Sequence, residues 1–156
     1  MRRAIVLLVL SLLVASAMPT AAAQPSPDDV HRPPVDAEIL DPFRPPPEPW
    51  MAGNRGIEYA TVDGDIIHAS ADGVVVFAGP VAGAVHVTVR HGPDLVTTAA
   101  FVREVLVTTG DVVVAGTPIA IAAGPFHFTA RRNGRYVDPE ALFGTVRLAV
   151  RLVPTW

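Results

Sequence analysis

The 156-residue chain contains no cysteine and no lysine, and only 6% of its residues are aromatic. The lack of cysteine excludes disulfides, thiolate metal sites and thiol nucleophiles. All twelve basic residues are arginines set against fifteen acidic ones, for a formal net charge of −3. That balance offers no basic stripe of the kind nucleic acid requires, so nucleic-acid binding is set aside. With few aromatics and half the residues hydrophobic, a core has to be built mainly from Val, Ile, Leu and Ala. Such a core suits a small β domain.

What the chain does have is proline, sixteen in all, unevenly spread. Ahead of them stands a processing signal: Arg2 and Arg3, an apolar run over residues 4–15, and the Ala21-Ala22-Ala23 cleavage pattern. The run is short for a bilayer and is interrupted by Ser11. The expectation is a signal peptide over residues 1–23, export, and no transmembrane anchor after cleavage. With no cysteine after the run, no lipid is expected to hold the product either. From residue 24 to 49 prolines crowd in at Pro25, Pro27, Pro33, Pro34, Pro42, Pro45, Pro46, Pro47 and Pro49, a density no helix survives. This stretch reads as an extended, semi-rigid linker, with Phe43 and Trp50 as the first contacts to the folded part.

Beyond Trp50 the pattern becomes short Val- and Ile-rich runs punctuated by Gly, Asp and Pro. Strands are expected over 65–69, 73–78, 84–90, 95–101, 112–114 and 119–122. Alternation is clearest where Val85, Val87 and Val89 interleave with His86, Thr88 and Arg90, which puts one face inward and one outward. Asn133-Gly134 is the strongest turn signal. Asp138 is placed to cap a short helical turn over 140–143, with Pro139 at its first position. Val146, Leu148, Val150 and Leu152 mark one more strand. The expected fold is all-β, a compact sandwich or barrel over residues 50–156.

At the junction between linker and strands lies Gly53-Asn54-Arg55-Gly56-Ile57-Glu58. The amide of Asn54 and the carboxylate of Glu58 stand four positions apart, with Gly56 permitting a bend between them. Two readings stand: the two oxygens converge on a metal, or Asn54 makes a local turn hydrogen bond while Glu58 is solvated. His86 and His91 read as ordinary exposed or hydrogen-bonded histidines.

Residues 50 to about 143 resemble the LytM or lysostaphin-type zinc metallopeptidases, secreted bacterial enzymes that cut peptide cross-links in cell walls. The resemblance rests on Asn54-Arg55-Gly56-Ile57-Glu58, on Ala71-Asp72-Gly73-Val74-Val75-Val76-Phe77-Ala78-Gly79, and on Phe126-His127-Phe128 followed by the hairpin that ends at Asp138-Pro139. It implies the barrel-sandwich hybrid fold of that family and a location at the cell wall or cell surface. It also implies a zinc site at Asn54, Glu58 and His127, and catalytic histidines at Phe101 and Pro125. Of these five positions only His127 keeps the family's residue. An Asn amide is a poor zinc ligand, and the extra methylene of Glu58 moves its carboxylate by about 1 Å in a site with less tolerance. Without a second imidazole no group polarises a peptide carbonyl or hands a proton to the leaving amine. His68 and His91 are the histidines available to fill a vacant place.

Two functions of different class follow. One is a non-catalytic exported domain whose groove binds peptidoglycan or a cell-wall hydrolase that it regulates, with no cofactor. The other is a zinc endopeptidase using the unorthodox set Asn54, Glu58 and His127. A lipoyl or biotinyl carrier, which also uses paired Gly-x-Val hairpins, is excluded because it needs an acceptor lysine.

Overall fold

Val and Ile favour extended backbone because their branched Cβ packs well on a pleated surface, and the chain is strand almost throughout. The computed structural model describes residues 31–48 and 50–144. The expected signal peptide, residues 24–30 and the strand expected from Val146 to Leu152 lie outside them. The elements are β1 (Ile39–Asp41), β2 (Ile57–Tyr59), β3 (Asp63–His68), β4 (Gly73–Val81), β5 (Ala84–Arg90), β6 (Leu95–Val105), β7 (Val112–Val113), β8 (Pro118–Arg132) and β9 (Arg135–Val137), followed by a 3-10 turn (Glu140–Leu142).

These strands form one nine-stranded sheet in the order β1-β2-β8-β6-β5-β4-β7, with β3 and β9 also paired to β8. Every strand pairing is antiparallel. The hub is β8, whose 15 residues run alongside β6 on one edge and meet β3, β2 and β9 in turn on the other. Its inward positions Phe126, Phe128 and Ala130 join Ile57, Ile67, Val75, Val87 and Val89 in a core that is at most 1% exposed at each of them. The all-β class is as expected, and β5 occupies the span expected for it. The runs at 119–122 and 126–128 are one continuous strand rather than two pieces.

The proline-rich stretch departs from expectation. Far from standing off as a linker, residues 31–48 lie against the sheet: β1 pairs with β2, His31 and Pro34 are buried, and Val35, Ala37, Ile39 and Phe43 pack on the core. Proline lacks an N–H but keeps its carbonyl, and the Pro34 carbonyl accepts the His68 amide at 2.8 Å. Phe43 makes the contact expected of it, whereas Trp50 is 80% exposed. The 3-10 turn begins with Pro139 at the cap, one residue later than expected. Asp138 still serves it, accepting the Glu140 amide at 3.0 Å.

Candidate functional site

Outward-facing side chains of the sheet line a groove of about 720 Å³. Strand register sets its floor in rows. Glu58 on β2 lies opposite His127 on β8, which lies opposite Ala100 on β6, which in turn faces His86 on β5. The next row is Thr129, Thr98, Thr88 and Phe77 on β8, β6, β5 and β4, and the Thr88 and Thr98 hydroxyls hydrogen-bond at 2.9 Å. Arg131 follows Thr129 on the same face of β8, and Tyr136 pairs with it from β9. Asp41, Arg44 and the 52–55 segment form the rim.

Asn54 is fixed from every side. Its backbone bridges Arg44, with N–H to O distances of 2.8 and 3.0 Å. The Asn54 Oδ1 accepts the Gly56 amide at 3.1 Å, closing a local turn. The Asn54 Nδ2 donates to the Asp41 carbonyl at 3.2 Å. That assigns the amide's orientation, so the 2.8 Å contact between Asn54 Oδ1 and His127 Nε2 has the imidazole as donor. Gly56 is required here because a Cβ at this position would collide with the Phe128 carbonyl and stand 2.8 Å from His127 Nε2. The residue's own lack of side chain lets the turn close over the histidine.

This arrangement bears on zinc. The expected donor set is one imidazole, one carboxylate and one neutral amide, and an amide oxygen is a weak zinc ligand. Among the described residues, no group of three or more His, Cys, Asp or Glu side chains is placed to hold a metal ion. By the chemistry of its donors this set is a poor match to a zinc centre of the expected kind, and Asn54, Glu58 and His127 line the same groove. Burial holds the His127 imidazole below its usual pKa, partly opposed by Glu58 and Asp41.

The positions aligned with catalytic histidines fare differently from each other. Phe101 lines the groove, 56% exposed, its ring 6.5 Å from that of His127 and 6.0 Å from that of His86. It sits at a bulge of β6 with φ of 65°, a conformation a bulky side chain rarely takes. Pro125 is exposed and contributes nothing to the groove lining. Neither His68 nor His91 fills a vacancy. His68 faces the Pro34 carbonyl, and His91 is buried between the Asp72 carbonyl and the Thr97 hydroxyl, each at 2.8 Å. The histidine that does reach the groove is His86, whose alternation with Val85 and Val87 had marked it as outward-facing.

Residues 52–139, more than half of the chain, match the model of peptidase family M23. Among solved structures, the chain is similar to a zinc-containing peptidase from Vibrio cholerae, at 26% identity and a TM-score of 0.63 over 70% of this chain and 39% of that one. It is similar to an M23 peptidase described as putative from Pseudomonas aeruginosa, at 27% identity and a TM-score of 0.63 over 74% of this chain and 50% of that one. It also resembles a chain in the complex of SpoIIIAH and SpoIIQ, at 26% identity and a TM-score of 0.57 over 72% and 98% of the two chains. The chain thus spans half or less of the length of the two peptidases. No curated protein matches it.

Proposed function

The chain belongs to peptidase family M23, and from that premise we propose that it is a non-catalytic member whose groove binds peptide, either the peptide portion of peptidoglycan or a segment of a cell-wall hydrolase. The observation that carries this reading is the hydrogen bond between Asn54 and His127. It ties together two side chains that would have to offer lone pairs to a shared ion. Phe101 supports it, because the ring that neighbours those of His86 and His127 cannot carry a proton. The groove itself remains concave, with polar and apolar walls, which is what binding needs once the chemistry is gone. The family's scaffold is compatible with both roles, since its neighbours include a zinc-containing peptidase and a two-protein complex. Export is part of the proposal, on the strength of the Arg2-Arg3 leader.

The test is metal content and peptide release. The purified chain should hold well under one equivalent of zinc and free no peptides from purified peptidoglycan, while sedimenting with that material. Chelator-sensitive peptide release that disappears in His127→Ala would replace this reading with that of a zinc endopeptidase using Asn54, Glu58 and His127.

A further inference from the structure

The chain holds two asparagines, Asn54 and Asn133, and the fold treats them in opposite ways. Asn54 is buried, and both ends of its amide are engaged, Oδ1 by the Gly56 N–H and Nδ2 by the Asp41 carbonyl. Asn133 is exposed, and among the described residues its side chain enters no hydrogen bond. Only its backbone is held, the N–H donating to the Asp94 carbonyl at 2.8 Å.

Asn133 and Gly134 form the tip of the hairpin that joins β8 to β9, with φ of 50° and 78°, the left-handed pair that a tight hairpin turn requires. A Cβ placed on Gly134 would meet nothing within 4 Å, so the space around this residue is open to water. The strand beyond it, β9, has only three residues and pairs with β8 alone. A strand that short lets the turn open locally without unfolding the sheet.

We propose that Asn133-Gly134 is a site of spontaneous deamidation and isomerisation, and that the isomerised product unlocks β9 from the sheet. The Gly134 nitrogen gives up its proton and bonds to Cγ of Asn133. The Cγ–Nδ2 bond breaks, and Nδ2 leaves as ammonia with that proton. Water then opens the five-membered ring. Addition at Cγ gives aspartate on an unchanged backbone, whereas addition at the main-chain carbonyl gives isoaspartate, whose backbone runs through the side chain and is one carbon longer. Nothing is oxidised or reduced, and water is the sole co-reactant.

The two products act differently on the fold. Aspartate, like asparagine, tolerates the left-handed conformation and leaves the turn intact. Isoaspartate lengthens a loop whose length fixes the register, the pairs being Ala130 with Val137, Arg131 with Tyr136 and Arg132 with Arg135. Release of β9 takes Tyr136 out of the groove wall and away from the Arg131 guanidinium, which lies 5.8 Å from its ring centroid.

The test holds the full chain at mildly alkaline pH, native and in denaturant, and maps it by mass spectrometry with fragmentation that separates isoaspartate from aspartate. In the native chain Asn133 should lose its amide while Asn54 keeps its own. Hydrogen exchange should show residues 135–137 losing protection in the isoaspartate form and keeping it in freshly prepared Asn133→Asp. An intact Asn133 in the native chain, over an incubation that converts it in denaturant, overturns the proposal by showing that the turn shields it. Absence of conversion in both conditions overturns it as well, as does isoaspartate with protection of 135–137 unchanged. Equal loss of protection in Asn133→Asp overturns it too, since charge and not backbone length would then be the cause. None of these readouts depends on metal or on what the groove binds, so the result stands apart from that of the zinc and peptide-release test.

Discussion

On one face of β8 stand Phe126, Phe128 and Ala130, at most 1% exposed; on the other stand His127, Thr129 and Arg131, half-buried along the groove. The two sets alternate on the same backbone, so no difference in stability of the strand separates them. What separates them is the kind of constraint. The inward face is held by volume, because a core at near-crystalline density has no slack for a smaller side chain. The outward face is held by whatever the groove has to recognise. His127 stands there with the Asn54 amide as its hydrogen-bond partner.

The largest effect that distinguishes these faces is expected from Phe128→Ala, which should cost about 3–5 kcal/mol by emptying a fully enclosed site. Its neighbour Thr129→Ala should change stability by about 0.5 kcal/mol or less. Denaturant midpoints of the pair measure the contrast directly, and comparable losses from the two would erase it.

A second contrast sets the groove histidine against the histidines beneath the N-terminal arm. His31 is 6% exposed, donates or accepts at Ser70 Oγ over 3.0 Å, and sits edge-on to His91 with centroids 4.7 Å apart. Burial, with His91 and Arg132 adding repulsion, pushes its pKa down to about 4 from 6.5. The folded state thus prefers the neutral ring. Stability from this group is complete above pH 6.5 and is lost as pH falls from 6.5 to about 4, because the unfolded chain then binds the proton that the folded chain refuses. The loss should approach about 3 kcal/mol. In His31→Gln the acid slope over that window should flatten, read from unfolding midpoints at successive pH values. An unchanged slope would mean that the arm is not held by His31.

A small effect is expected at Tyr59, which stacks on Phe126 with centroids 5.3 Å apart and whose buried hydroxyl finds no hydrogen-bond partner among the described residues. Tyr59→Phe should be neutral or stabilise by up to about 1 kcal/mol. A loss of 2 kcal/mol or more would show that the hydroxyl has a partner after all.

How far the molecule could be read from its sequence divides along the same line as the faces of β8. Runs such as 84–90 announce themselves because alternation of Val85, Val87 and Val89 with polar residues has only one extended solution. The three-residue strands β1 and β2 are too short to alternate, and β1 lies among prolines that argue for a linker. It pairs all the same, because none of its three residues is a proline and each keeps its N–H. In the site, the local turn hydrogen bond read for Asn54 forms, with the Gly56 amide as donor, but the bond between Asn54 and His127 depends on the pairing of β2 with β8 across 73 positions of sequence, which no local spacing reveals. Phe101 lines the groove, while its positive φ had no local signal. His86 was visible as an outward residue and nothing more. Its place in the groove depends on the two strand pairings that bring Ala100 between it and His127.

The central claim is that the groove binds without metal, and the most direct measurement is sedimentation of the full chain with purified peptidoglycan, with and without excess chelator. Binding of equal strength in the two conditions, with no peptide released in either, is the predicted result. Binding that is lost with chelator and restored by added zinc would contradict the claim.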